Sequence, residues 1–179
     1  LEVSEVQKKI PGVKIFWGVE SDILQDGSLA YEDEVLARFD FVIASVHSRF
    51  QLDEAAMTER SVRAIRNPYT RMIGPLTGRI LLLRPPYAFN HERVITEAAK
   101  CDVAIEVNAK PSRLDIDWRW GELLRREGTR VSINPDAHGT AGLEDTLYGV
   151  AMARKALLPR SQIVNCGSAS EVEAWLKRR

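Results

Sequence analysis

Val131-Ser-Ile-Asn-Pro-Asp-Ala-His138 begins as a buried strand and ends in two side chains suited to metals, Asp136 and His138. Alternate residues of an extended chain point the same way, so both side chains can reach one point just past the strand's end. An oxygen and a nitrogen donor converging there suit a divalent cation. The plainer reading is a strand running into a helix N-terminus, with Asp136 and His138 as polar loop residues. The segment by itself leaves both readings open.

Two other segments repeat the pattern. Val13 to Val19 is an apolar run that hands over to Glu20, and Phe41 to Val46 is another that ends at His47. Three times a hydrophobic strand delivers a hard or borderline ligand at its C-terminal end, where parallel α/β proteins place their chemistry. Two of the three histidines fall at such ends. The third, His91, follows Asn90 at a helix start and reads as a solvated first-turn residue.

Composition sets outer bounds. The 179 residues suit a single domain, 1–179, and 45% apolar with 28% charged residues describes an ordinary globular protein. Lys plus Arg and Asp plus Glu both number 25, so the overall charge makes no demand for nucleic acid. No apolar run is long enough to span a bilayer and no signal peptide opens the chain, which points to the cytoplasm and to no membrane partner. Cys101 and Cys166 lack metal or redox spacing and read as reduced thiols.

Strand and helix patterns alternate along the chain. Val3 to Ile10 forms a helix stopped by Pro11-Gly12, and Val13 to Val19 is the first strand. Tyr31 to Phe39 is a short helix and Phe41 to Val46 the second strand. Asp53 caps a helix to about Ile65, and Thr70 to Ile73 is the third strand. Asn90 caps the next helix, before a fourth strand, Val103 to Val107, and a polar loop carrying Lys110 and Arg113. Asp117 caps a helix stopped by Gly128, and Val131 to Ile133 is the fifth strand. Leu143 to Leu158 has helical periodicity, Ile163 to Cys166 reads as a sixth strand, and Ser170 with Glu173 as a capping box. Such alternation predicts parallel strands joined by helical crossovers, in an open sheet or a barrel.

Gly18-Val-Glu20-Ser-Asp-Ile-Leu, Ala44-Ser-Val-His47-Ser, Thr77-Gly-Arg79, Glu106-Val-Asn108-Ala-x-Pro-x-Arg113-Leu-Asp115 and Ile133-Asn-Pro-Asp136-Ala-His138 occur in this order. As an ordered set they resemble the polymerase-and-histidinol-phosphatase (PHP) domain, in the version at the C-terminus of bacterial family X DNA polymerases. The likeness covers nearly the whole chain. It implies an α/β fold, a distorted TIM-like (β/α)7 barrel, of which this chain is the later part with the N-terminal strands missing. It also implies a site for two to three Mn or Zn ions and phosphoester hydrolysis of 3′-to-5′ exonuclease type. Glu20, His47, Asp136 and His138 match metal ligands of that family, Asp136 and His138 carrying the catalysis. The partners implied are DNA and the upstream polymerase domains.

The resemblance has two gaps. The family's early ligands lie in segments upstream of the match, so the isolated chain is expected to be inactive. Internally, Pro75 of Gly74-Pro75-Leu76-Thr77-Gly78-Arg79 occupies the place of a ligating histidine and offers no side-chain donor, which is expected to weaken the metal site. Arg79 and Arg113 can grip phosphate oxygens, or form salt bridges with neighbouring helices. Glu106 and Asn108 can orient a ligand, or bond to loop backbone. Two alternatives stand beside the exonuclease domain: a non-catalytic relic that stabilises the polymerase or positions DNA, and a small-molecule phosphatase of histidinol-phosphatase type.

Overall fold

The computed structural model describes residues 2–178. Five strands, β1 (Gly18–Asp22), β2 (Phe41–Ser45), β3 (Thr70–Ile73), β4 (Ala104–Asn108) and β5 (Val131–Asn134), lie side by side in chain order with every neighbouring pair parallel. Strands in chain order, each followed by a crossover, build a sheet compatible with the wall of a TIM-like barrel.

The two faces of this sheet have different fates. Val19, Val42, Ala44, Ile73, Ile105, Val107, Val131 and Ile133 face the helices. They pack against Leu36 of α2 (Asp33–Leu36; α1 is Glu2–Lys9 and buries no residue), Met57, Val62 and Ile65 of α3 (Glu54–Arg66), and Val94, Ile95 and Ala98 of α4 (His91–Lys100). Leu124 of α5 (Gly121–Glu127) and Ala153 of α6 (Thr146–Lys155) complete that core. On the opposite face Phe41, Ile43, Met72 and Ala104 meet Trp175 and Leu176 of the last helix, Ala169–Leu176. That helix is tied beneath the sheet. Arg71 donates to the carbonyls of Trp175 and Asp102, its guanidinium lies over the Trp175 ring, and the Trp175 indole also donates to Asp102 O. Asp102 precedes β4, so the seal lies at the N-terminal end of the strands.

Helix ends follow the side chains expected of them. Asp53 and Asn90 accept from the backbone N–H groups of Ala56 and Arg93, and Gly128, at φ 66°, closes α5 in the left-handed conformation that glycine adopts without strain. Asp117 also caps, but the turn it opens, Trp118–Trp120, is 3₁₀ and leads into α5.

Four expectations need correction. The first strand begins at Gly18: Val13 is 57% exposed and Trp17 43%, and the apolar run before Gly18 is loop. Ile163–Cys166 is not a strand. Ile163 makes one parallel bridge to Val131, and Val164–Cys166 is a 3₁₀ turn. Beside it the Asn165 amide stands in for a strand's backbone, accepting from Ile133 N (2.7 Å) and donating to Ile133 O (2.9 Å). The capping box of the last helix is Ser168 with Glu171; Glu173 instead pairs with Lys14 and Lys177. Residues 143–158 split into a 3₁₀ segment, Thr140–Asp145, and α6, with Leu143 and Leu147 exposed. No helix among the described residues is long and apolar enough to cross a membrane.

Candidate active site

The face that meets the last helix changes character toward the strands' C-terminal ends. Apolar Phe41, Ile43 and Met72 give way to Glu20, Glu106, Asn108 and Asn134, and the loops beyond add His47, Asp136 and His138. These side chains line one cavity of about 600 Å³, with Pro75, Lys110 and Arg113 also on its walls. Its size falls in the range of small-molecule sites.

One wall is built by β1 and β2. Glu20 and Asp22 alternate along β1, and His47, two residues past β2, stands between them. Its Nδ1 is 2.6 Å from Asp22 Oδ1 and its Nε2 3.4 Å from Glu20 Oε1. Sequence reasoning misses Asp22. The i, i+2 spacing from Glu20 on a strand is the signal that finds it.

The other wall comes from β4 and β5. Asp136 adopts φ 52°, a left-handed conformation that Asp tolerates better than most residues. Its carboxylate lies 3.4 Å from the Asn108 amide and 3.7 Å from Arg113 Nε. His138 folds back, its Nδ1 2.9 Å from Asp136 O and 3.7 Å from Asp136 Oδ1. Among the described residues no three His, Cys, Asp or Glu side chains gather in the manner of a metal site. On the first wall the two carboxylates sit at opposite nitrogens of one imidazole rather than around a shared point.

Glu106 lies at the back of the cavity, 6% exposed. Asn108 Nδ2 donates to Oε1 (2.8 Å) and Asn134 Nδ2 to Oε2 (2.9 Å). Both amides are oriented from behind: Lys110 N–H donates to Asn108 Oδ1 and Ser132 Oγ–H to Asn134 Oδ1. Among the described residues no cation pairs with Glu106. Burial, with smaller contributions from the charges of Asp136 and Glu20, pushes its carboxyl up to about 7 against the pull of the two amides. Gly74 must be glycine here, because a Cβ at that position would collide with the Glu106 side chain.

Thr77-Gly-Arg79 and the 106–115 loop lock each other in place. Asp115 is buried and accepts from Thr77 N (2.9 Å) and Thr77 Oγ (2.8 Å), while burial raises its carboxyl. Arg79 donates to the carbonyls of Arg113 and Leu114 and pairs with Asp117 at 2.8 Å. Arg79 is therefore absent from the cavity lining, and its contacts hold the loop that brings Lys110 and Arg113 to the rim. Asp117, bonded to Arg119 and Arg79, is held well below the usual carboxylate range. His91 is not solvated as expected. Its ring stacks between Phe89 (4.0 Å) and Trp120 (3.9 Å), and burial lowers its pKa.

No family model matches the chain. It is 37% identical over 177 residues to the DNA polymerase/3′-5′ exonuclease PolX of Bacillus subtilis, a match covering 99% of this chain and 31% of that protein. A protein named as a probable phosphatase in Caldanaerobacter subterraneus is 27% identical over 186 residues, covering 97% of this chain and 70% of its own. A probable phosphatase of Photobacterium profundum is 25% identical over 174 residues, covering 92% and 68%. The chain is a homologue of part of PolX and of these phosphatases. It spans about a third of the polymerase and about two thirds of the phosphatases.

Proposed function

We propose that the chain is a PHP-type phosphoesterase domain, and that in the longer protein it hydrolyses phosphodiester bonds at 3′ ends of DNA. The observation that carries this reading is the meeting of Glu20, His47, Asp136 and His138 with Lys110 and Arg113 around one cavity at the C-terminal rim of a parallel sheet. The similarity to a polymerase/3′-5′ exonuclease and to probable phosphatases supports it. The cofactor proposed is Mn or Zn. The donors fit in type, being carboxylate and imidazole, with Glu20 and His47 on one wall and Asp136 and His138 on the other. A bound ion would polarise the phosphate and supply hydroxide at neutral pH.

The chain's own residues have separate tasks. Lys110, which makes no ion pair among the described residues, and Arg113 bind phosphate oxygens. Asn108 bridges Glu106 and Asp136 and fixes the Asp136 carboxylate toward the cavity. The partners proposed are DNA and the polymerase part of a longer chain.

The test is Mn-dependent release of nucleotides from a DNA 3′ end by the full-length protein. Asp136→Ala is expected to abolish release and weaken Mn binding in calorimetry. Absence of hydrolysis of any phosphoester by the metal-loaded protein overturns the reading. One observation favours a second reading, a non-catalytic domain: Pro75 lines the cavity where the family pattern has a ligand, and the donors stand as separate groups. Mn affinity indifferent to Glu20→Ala would decide for it. A small-molecule phosphatase is the third reading, favoured by the phosphatase relatives.

A further inference from the structure

Residues 80–84 form a closed turn beside the cavity. Ile80 N donates to Arg84 O (2.9 Å), Arg84 N to Ile80 O (2.8 Å) and Leu83 N to Ile80 O (3.0 Å). Leu82 sits at the tip with φ 64°. The turn is anchored at its base: Arg84 donates to Gly78 O (2.8 Å) and lies over the Phe50 ring. Leu82 is 105% exposed and Leu83 84%, with Leu81, Pro85 and Pro86 also at the surface. Contiguous exposed apolar side chains on an ordered element mark a contact surface.

The location says what kind. Leu81 N donates to Ser112 O at 2.7 Å, so the ledge abuts the loop whose next residue is Arg113 and which also carries Lys110. An apolar ledge and a cationic rim thus stand side by side. A single-stranded polynucleotide has the matching alternation of anionic phosphates and flat apolar bases. A small phosphate ester would use the cationic rim alone.

We propose that Leu82 and Leu83 form a base-packing ledge that positions single-stranded nucleic acid with its backbone at Lys110 and Arg113, and so select polynucleotides over small esters. This rests on the phosphoesterase reading of the cavity for its catalytic consequence, and on the surface alone for binding.

Leu82→Ser/Leu83→Ser in the full-length protein tests it, with Leu143→Ser/Leu147→Ser as a control at exposed leucines elsewhere. Binding of a labelled single-stranded oligothymidine is read by fluorescence anisotropy in chelator across a salt series. The ledge variant should bind about tenfold more weakly than the parent, because two leucine side chains lose apolar contact with the bases. Its salt slope should be unchanged, because the phosphate contacts remain. The ratio of kcat/KM for the oligonucleotide to that for p-nitrophenyl phosphate should fall in step. Unchanged oligonucleotide affinity, or an equal loss in the control, overturns the proposal. So does a shift in oligomeric state with affinity intact, which would assign the ledge to a protein partner. If the parent protein hydrolyses neither ester, the phosphoesterase reading fails, and the anisotropy series still decides whether the ledge binds.

Discussion

Replacing Glu106 by Gln should change how stability depends on pH. The carboxyl moves from an ordinary 4.5 to about 7 on folding because burial, with no cation beside it among the described residues, outweighs the pull of its two amide donors. At about 1.4 kcal/mol per unit, the shift corresponds to roughly 3 kcal/mol. The sign follows from proton uptake. Between pH 4.5 and 7 the folded state holds a proton on Glu106 that the unfolded chain has released, so raising the pH favours unfolding. The contribution is fully present below pH 4.5 and is lost as the pH rises through about 7. A glutamine side chain at this position cannot titrate. It has one acceptor oxygen for two Asn donors, so it forfeits one hydrogen bond at about 1 kcal/mol at every pH. The two proteins should therefore converge or cross as pH rises, the variant gaining about 3 kcal/mol on the parent between about pH 4 and about pH 8. Urea denaturation of both proteins at a series of pH values in this range, in chelator, gives the difference directly. A difference that stays flat across the range would refute the reasoning, since it would mean that Glu106 titrates alike in both states.

Other substitutions probe the frame around the site. Arg60, 1% exposed, donates to the carbonyls of Ile23, Leu24 and Ser48, staking down the loops after β1 and β2; Arg60→Met should cost at least about 3 kcal/mol in urea unfolding. Trp175→Ala should cost about 3–5 kcal/mol, read by thermal or chemical melting, because it empties the seal against Met72 and Ala104. Pro75→His places an imidazole on the cavity wall and should raise Mn affinity in calorimetry; no gain would show that Pro75 is not the weak point of the site.

Much of this arrangement can be read from local chemistry. Asp53, Asn90 and Asp117 cap because short polar side chains reach a backbone N–H, a requirement written in adjacent residues. β3, buried throughout, is legible as a short strand between Asn67-Pro68 and Gly74-Pro75, although two of its four residues, Thr70 and Arg71, are polar. β1 escapes a reading that uses hydrophobicity as its marker. Its Glu20 lines the cavity and its Asp22 meets His47, so the true strand looks polar and the exposed residues before it look like core. The sixth strand fails for a different reason: Asn165 satisfies Ile133 through a side chain, and no periodicity announces that. Ser168 and Ser170 each begin an S-x-x-E pattern; Ser168 and Glu171 make the reciprocal bonds, while Glu173 is engaged by Lys14 and Lys177. The convergence of Glu20, His47, Asp136 and His138 on one cavity follows from strand ends. The part taken by Arg79 does not, because its partners are loop carbonyls more than thirty residues away in sequence.

The closing helix under the sheet has a consequence for binding. With Trp175 and Leu176 wedged against Met72 and Ala104, the hollow has a dry stopper at its lower end. A group bound beside Glu106 would meet apolar side chains below it, so its polar contacts must be made toward the strands' C-terminal ends, with Asn108, Lys110 and Arg113.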